Sequence, residues 1–234
     1  MDYDCAGTSR GFFGPTCVGE YPSHGYLARP GARKIEPLGQ NAEFKMGRDI
    51  VFAMARGRMT IGLYNSYDRS RFAEAHRRAI ARAAPIALAF DGNLATFGFP
   101  FEEGLITPQE VAGWVSSTTS IGEAGLYLRE LAQRGRFQTF GFPKRGFPPQ
   151  LGEPIVTTNR PDPKKATTAT ALAGLLQRGT SILLVFGLGR RGLDDRDVYP
   201  LGRYHFDLTG RGLSLETATA IGAAPALIAA HLVA

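Results

Sequence analysis

From Met59 onward, the apolar and polar positions of this chain alternate between short β-branched runs and longer amphipathic stretches. TIGLY, Thr60 to Tyr64, predicts a first strand. The turn formers of NSYD follow, and then RSRFAEAHRRAIARAA, which places Phe72, Ala75, Ala79, Ile80 and Ala83 on one helical face. IALAF, Ile86 to Phe90, predicts a second strand. After the turn at Asp91-Gly92-Asn93, ATFGFP predicts a short edge strand stopped by Pro100. Thr107-Pro108-Gln109-Glu110 is a capping box with Pro at the first helical position, so it opens a helix carrying Val111, Trp114 and Val115 and broken at Gly122. A further amphipathic helix, Glu123 to Arg134, stops at Gly135 before the strand RFQTF. Ile155 to Thr158 predicts another strand, and Asp162-Pro163 starts a helix through KKATTATALAGLLQR to Gly179.

The stretch from Ser181 to Ala234 makes two consecutive strand, loop, helix statements. SILLVFG is a continuous apolar run suited to a parallel strand buried on both faces, and it breaks at Gly187 into a loop holding Leu188, Gly189, Arg190 and Arg191. RYHFDLT is a second strand candidate and leads into GRGLSLETATAIGAAPALIAAHL, where Ser214 is placed to cap a long apolar helix and Glu216 falls in its first turn. Strands at Thr60, Ile86, Phe137, Ile155, Ser181 and Tyr204, mostly separated by helices, predict an α/β fold: a mostly parallel sheet flanked by helices on both faces. In such sheets ligands bind beyond the carboxyl ends of the strands. The two glycine-bearing loops are therefore the candidate ligand loops, with Gly187, Leu188, Gly189, Leu208, Thr209, Gly210, Gly212, Leu213 and Leu215 as contacts. No G-x-G-x-x-G follows the first strand and no Walker loop occurs, which disfavours dinucleotide and triphosphate use.

Composition changes this picture in few places. Hydrophobic residues make up 44% and charged residues 21% of 234 positions, ordinary for a globular protein with one sizeable core. No apolar run approaches the ~20 residues of a membrane helix, and the amino terminus lacks a signal-peptide core, so a cytoplasmic protein without membrane contact is expected. Residues 1 to 58 are rich in Gly and Pro without apolar periodicity. They are expected to be a disordered or mis-assigned tail, with Met54 and Met59 as alternative starts, or else a basic tethering arm; residues 59 to 234 form the domain. Cys5 and Cys17 both lie in that tail, His76 has no partner at metal-ligand spacing, and no metal site is expected. Net charge +6 and pI near 9.5 suit a phosphate-bearing partner. KRGFPPQLGE, with Lys144 and Arg145 beside an aromatic at a strand end, reads equally as a substrate loop and as a connector.

The segments LLVFGLGRRGL and FDLTGRGLSLETATAIGA resemble the SPOUT class of S-adenosylmethionine-dependent RNA methyltransferases, and GLYNSYD and AHRRAIARAAP look most like an uncharacterised archaeal family of that class. The resemblance implies a C-terminal trefoil knot, S-adenosylmethionine in the two glycine loops, an RNA substrate (tRNA or rRNA) and a homodimer. It matches Asn65 and Arg82 to the Asn and Arg of the class, where the Arg helps a target hydroxyl lose its proton, with Arg78 a rival. Two positions depart from the class pattern: Glu216 stands where ribose-methylating members have Asn, and the acidic residue of the first loop is replaced by Leu188 or Gly189. The resemblance implies Arg82 as a catalytic candidate and Asn65 and Arg78 as substrate contacts; the residues themselves add Glu216, an ionised acceptor that favours a base over a ribose, as a catalytic candidate, and Lys144, Arg145, Arg190 and Arg191 as substrate contacts. The competing readings are a non-catalytic RNA-binding protein of this fold and an unrelated nucleotide-binding α/β protein.

Overall fold

The structure is a computed structural model and describes residues 56–101, 104–118, 124–189, 192–193 and 196–232. Seven strands, β1 (Met59–Tyr64), β2 (Asn93–Phe97), β3 (Phe137–Phe140), β4 (Glu153–Thr157), β5 (Ala166–Thr167), β6 (Ile182–Gly187) and β7 (Tyr204–Phe206), form one sheet. Their order is β3-β2-β1-β6-β4-β7-β5, and each neighbouring pair is parallel. The helices are α1 (Glu74–Ala89), α2 (Pro108–Thr118), α3 (Ala124–Gln133), α4 (Ala169–Gln177) and α5 (Thr217–Ala230). No helix among the described residues is long and apolar enough to cross a membrane.

The apolar run at β6 sits at the centre of the sheet because both its faces are covered: Ile182 to Phe186 are all at most 1% exposed. Burying side chains of this size contributes about 1.5–3 kcal/mol each. Ile182, Leu184 and Phe186 join one core with Ile61, Leu94, Phe137 and Ile155 and with the buried faces of all five helices. Leu183 and Val185 join a second core with Tyr64, Phe97 and Val156 that contains no α-helical residue; Leu151, Leu193, Val198 and the aromatics Phe140, Phe142, Phe147 and Tyr199 complete it.

The expected helices on both faces are thus found on one face. Handedness supplies the reason. The crossovers from β1 to β2, β2 to β3 and β5 to β6 all step across the sheet in the same direction, and each carries α-helix. Those from β3 to β4 and β6 to β7 step the opposite way and carry only loops and the 3₁₀ turns Pro149–Leu151 and Tyr199–Leu201. Right-handed crossovers stepping in one direction must share a face, so the helices gather on one side and the loops on the other.

Three local expectations are corrected. Ile86 to Phe90 is not a strand: α1 runs through Pro85 to Ala89 because Ile80, Ala84 and Ala87 continue one buried stripe at helical spacing. The segment read as an edge strand is β2, which lies inside the sheet between β1 and β3, with Leu94, Ala95 and Phe97 fully buried. The helix expected from Asp162 begins only after β5, capped by the Thr168 hydroxyl, which accepts from the Ala171 amide at 3.2 Å. Ala166 and Thr167 are drawn instead into the ladder beside β7. The capping box at α2 forms as expected, with Thr107 N–H donating to Glu110 Oε2 at 2.8 Å and Glu110 N–H to Thr107 Oγ1 at 3.2 Å. The expected break at Gly122 and residues 1 to 55 lie outside the described residues.

Candidate functional site

Three chain segments leave the carboxyl ends of adjacent strands and converge on one cleft of about 340 Å³. From the end of β4 come Thr157, Thr158, Asn159 and Arg160; from the end of β6 come Gly187, Gly189, Gly192 and Leu193; from the β7–α5 loop and the first residue of α5 come Asp207, Leu208, Leu213, Ser214, Leu215 and Thr217. Phe186, Tyr199 and Ala220 complete the wall. The segments are tied together by side chains that donate to backbone carbonyls. Thr157 Oγ1 donates to Val185 O at 2.7 Å, Thr217 Oγ1 to Gly187 O at 3.0 Å, and Ser66 Oγ to Leu188 O at 2.6 Å. The hydroxyls of Thr158 and Tyr199 bond each other across the wall.

Asp207 organises the β7–α5 loop. Its carboxylate accepts from the Thr209 amide at 2.9 Å, the Thr209 hydroxyl at 2.8 Å and the Gly212 amide at 2.8 Å. Burial opposes its charge, yet these hydrogen bonds, led by Gly212, hold the carboxyl below its ordinary value. Gly212 has φ +70°, a left-handed conformation in which its amide turns inward to Asp207.

A second cleft, of about 600 Å³, opens beside the first between α1 and the start of α5. Tyr67, Glu74, Arg78, Arg82, Leu188, Glu216 and Ile221 line it, and Gly189, Ser214, Leu215 and Thr217 belong to both clefts. Arg78 Nε donates to Glu74 Oε1 at 2.9 Å, and Arg77 also binds that carboxylate. The Arg77 hydrogen bond is the main reason that the Glu74 carboxyl lies below its ordinary value. Arg82 is exposed and makes no side-chain hydrogen bond or ion pair with the described residues. Gly189, at φ +86°, lies against the Tyr67 ring, so a Cβ there would come within 3.1 Å of Tyr67 Cδ2.

Beneath this cleft, Asn65 and His76 are both fully buried. Asn65 Nδ2 donates to Asp68 O at 2.6 Å and Gly98 O at 2.8 Å, and its Oδ1 accepts from the Tyr67 amide at 3.2 Å. That amide fixes Oδ1 as an acceptor, so His76 Nε2, 2.8 Å away, carries the proton, and Nδ1 accepts from Ala73 N–H at 3.0 Å. Burial lowers the pKa of His76 from 6.5, and the ring is neutral.

Of the sequence-named ligand residues, Gly187, Gly189, Leu208, Leu213 and Leu215 line the first cleft, whereas Leu188 lines the second. Thr209, Gly210 and Gly212 build the loop around Asp207 without lining the wall. Arg78, Arg82 and Glu216 meet in the second cleft, with Asn65 below it and all of its polar groups engaged. Glu216 is not in the first turn of α5 and Ser214 is not its cap: Glu216 is itself the N-cap, accepting from Ala218 N–H at 2.9 Å and Thr219 N–H at 3.2 Å. Lys144 and Arg145 are exposed and line neither cleft, and Arg190 and Arg191 lie outside the described residues. Sequence reasoning missed the whole β4 contribution, Thr157 to Arg160, together with Tyr199 and Asp207. The turn signal of NRPDP marked that loop, but nothing local shows that β7 will pair beside β4.

A parallel α/β sheet with its clefts beyond the carboxyl ends of the strands defines the ligand-binding class of open α/β folds. The chain belongs to the family described as "Protein of unknown function (DUF531)", whose pattern matches residues 59–229. It is 46% identical over 171 residues to an uncharacterized protein of Methanocaldococcus jannaschii, a match covering 73% of this chain and 93% of that one. In fold it is similar to a probable methyltransferase from Bordetella pertussis Tohama I, with TM-score 0.50 and 16% identity over 77% of this chain and 98% of the other. A weaker similarity, TM-score 0.42 at 12% identity over 77% of this chain and 59% of the other, is to an AdoMet-bound rRNA methyltransferase from Sinorhizobium meliloti.

Proposed function

We propose that this protein transfers a methyl group from S-adenosylmethionine to structured RNA, tRNA or rRNA. The observation that carries the reading is the convergence of three carboxyl-end loops on one cleft, with a second, arginine-bearing cleft sharing its rim. The first cleft lies within the size range of small-molecule sites, roughly 300–1,000 Å³. Its donor set fits the cofactor: Phe186, Leu193, Leu208, Leu213 and Leu215 offer apolar wall, Thr157, Thr158 and Asn159 offer polar groups, and Gly187 and Gly189 let backbone come close. When bound, the cofactor supplies an electrophilic methyl group on a sulfonium.

The remaining work is positioning, which needs neither a triad nor a metal. Arg82 is the proposed catalytic residue, because a free guanidinium in the acceptor cleft stabilises an acceptor oxygen as it loses its proton. Arg78 is the neighbouring phosphate contact. Glu216, the other catalytic candidate, has one carboxylate oxygen, Oε2, held by two amides of its own helix, which favours Arg82 over it. Net charge +6 supports a nucleic-acid partner through counterion release. The insertion of β7 between β4 and β5, which are consecutive in the chain, supports a threaded C-terminus of the expected knotted kind. A homodimer is proposed on α5, which carries no charged residue over Thr217–Ala230 and yet leaves Leu227 41% exposed. The domain is proposed to be residues 59 to 234.

The test is calorimetric titration with S-adenosylmethionine, followed by transfer of labelled methyl to bulk tRNA and rRNA. We expect binding, and transfer to one of the two RNA classes. Gly189→Val is expected to lower affinity at least ~100-fold with the protein still folded, because a β-branched residue is strained at that positive φ and meets Tyr67. Absence of cofactor binding removes the reading, and binding without transfer to RNA leaves a non-catalytic protein of this fold.

A further inference from the structure

Among the described residues lining the first cleft, only Arg160 and Asp207 carry charged side chains. Their states differ. Both carboxylate oxygens of Asp207 are taken by its own loop, through Thr209 and Gly212. The Arg160 guanidinium makes no hydrogen bond, ion pair or ring contact with any described residue.

The backbone beneath that free cation is held on both sides. Arg160 N–H donates to Thr158 Oγ1 at 3.0 Å, and Asn159 Nδ2 reaches across to Gly212 O at 3.1 Å. On the far side Asp162 N–H donates to Nδ1 of the buried His205 at 3.0 Å. Lys165 Nζ then donates to the carbonyls of Tyr199, Pro200 and Gly202 at 3.4, 3.2 and 2.8 Å. Pro161 and Pro163 restrict the same loop further. A guanidinium with no partner among the described residues, carried on a clamped loop at the wall of a cleft, is preorganised to receive a planar anion, which it binds through paired hydrogen bonds.

We propose that Arg160 binds the α-carboxylate of the cofactor's amino-acid end, so that the first cleft selects sulfur-linked nucleosides that carry a free carboxylate. This rests on the reading of the cleft as an S-adenosylmethionine site. The carboxylate is the one anionic group of that molecule, and its cationic sulfonium and ammonium suit a cleft whose other charged lining residue, among the described residues, is Asp207. Arg160 acts in binding and selection, with no part in the transfer step.

The experiment titrates the full chain and its Arg160→Ala and Arg160→Lys variants with S-adenosylhomocysteine and with 5′-methylthioadenosine, which lacks the amino-acid end. In the unaltered protein S-adenosylhomocysteine should bind more tightly. Arg160→Ala should weaken it roughly 10- to 100-fold, the range for a charge-assisted pair, with 5′-methylthioadenosine unchanged and Arg160→Lys between. Equal binding of S-adenosylhomocysteine by the unaltered protein and Arg160→Ala overturns the assignment and leaves the cofactor site standing. If RNA retention alone falls in that variant, Arg160 is a phosphate contact and the assignment is likewise overturned. Equal weakening of both nucleosides reduces Arg160 to a support of the loop. Failure of the unaltered protein to bind either nucleoside removes the cofactor reading itself.

Discussion

His76 and His205 are buried to similar degrees and bonded in similar ways, yet they secure different kinds of structure. Each accepts a backbone N–H at Nδ1, from Ala73 and Asp162 respectively, and each donates from Nε2, to Asn65 Oδ1 and to Tyr199 O at 3.1 Å. The bonds of His76 join residues 65, 73 and 76, all within one strand-to-helix junction. Those of His205 join residues 162, 199 and 205, segments that meet only because β7 lies beside β4 and β5. One histidine closes a local motif beside the second cleft, and the other fastens a long-range crossing beneath the first. The acceptor side of the proposed site is therefore built from neighbouring sequence, whereas the cofactor side exists only once the sheet is assembled.

The comparison predicts separable losses. His76→Ala should cost about 3 kcal/mol of stability, because it opens a cavity among Phe72, Phe99 and Tyr67 and leaves Asn65 Oδ1 and Ala73 N–H without their bonds. Affinity of the folded fraction for S-adenosylhomocysteine should change little. Equal loss of affinity and stability would show that the two histidines do the same work. The same ring sets a pH dependence. His76 has a lowered folded pKa, so the unfolded chain takes up the proton first, and its contribution is complete above about pH 6.5 and declines as pH falls through that value. Urea midpoints of wild type and His76→Ala should converge as pH drops from about 8 to 5. A constant gap would show that the ring titrates alike in the folded and unfolded chain, and a gap that widens as pH drops would show that it is charged when folded. The depressed carboxyls of Glu74, Asp91 and Asp207 act in a separate window, with their contribution lost below about pH 4.

His205→Ala should show the opposite balance. A smaller stability loss, about 2 kcal/mol, should come with roughly 10-fold weaker nucleoside binding, since the loop carrying Asn159 and Arg160 loses its anchor at Asp162. Unchanged binding would mean that the prolines and Lys165 suffice. The smallest effect belongs to Glu216→Gln. The amide oxygen can still accept from Ala218 and Thr219, so loss of the charge should cost only a few tenths of a kcal/mol of stability, with methyl transfer within a few-fold of wild type. A fall of 100-fold in transfer at native stability would instead make Glu216 a chemical group of the site.

What the sequence determined by itself follows from periodicity and local bonding. The β6 run, the capping box at α2, the breaks at Gly135 and Gly179 and the glycine loops after β6 and β7 each depend on residues a few positions apart, and all were legible. The tertiary structure alone decided three things. Strand order made an internal strand of the segment that resembled an edge, because Leu94 to Phe97 pair on both sides. Crossover direction put α1 to α4 on one face, a consequence of handedness acting on a topology that no periodicity encodes, and α5, which follows the last strand, packs there against α1 and α4. The insertion of β7 between β4 and β5 brought Thr157 to Arg160 against Asp207 and Leu213, across a separation such as the 53 residues between Asn159 and Gly212. Hydrophobic patterning reports which face of an element is buried, but it carries no information about which distant strand will cover that element's edge, and the first cleft is made at those edges.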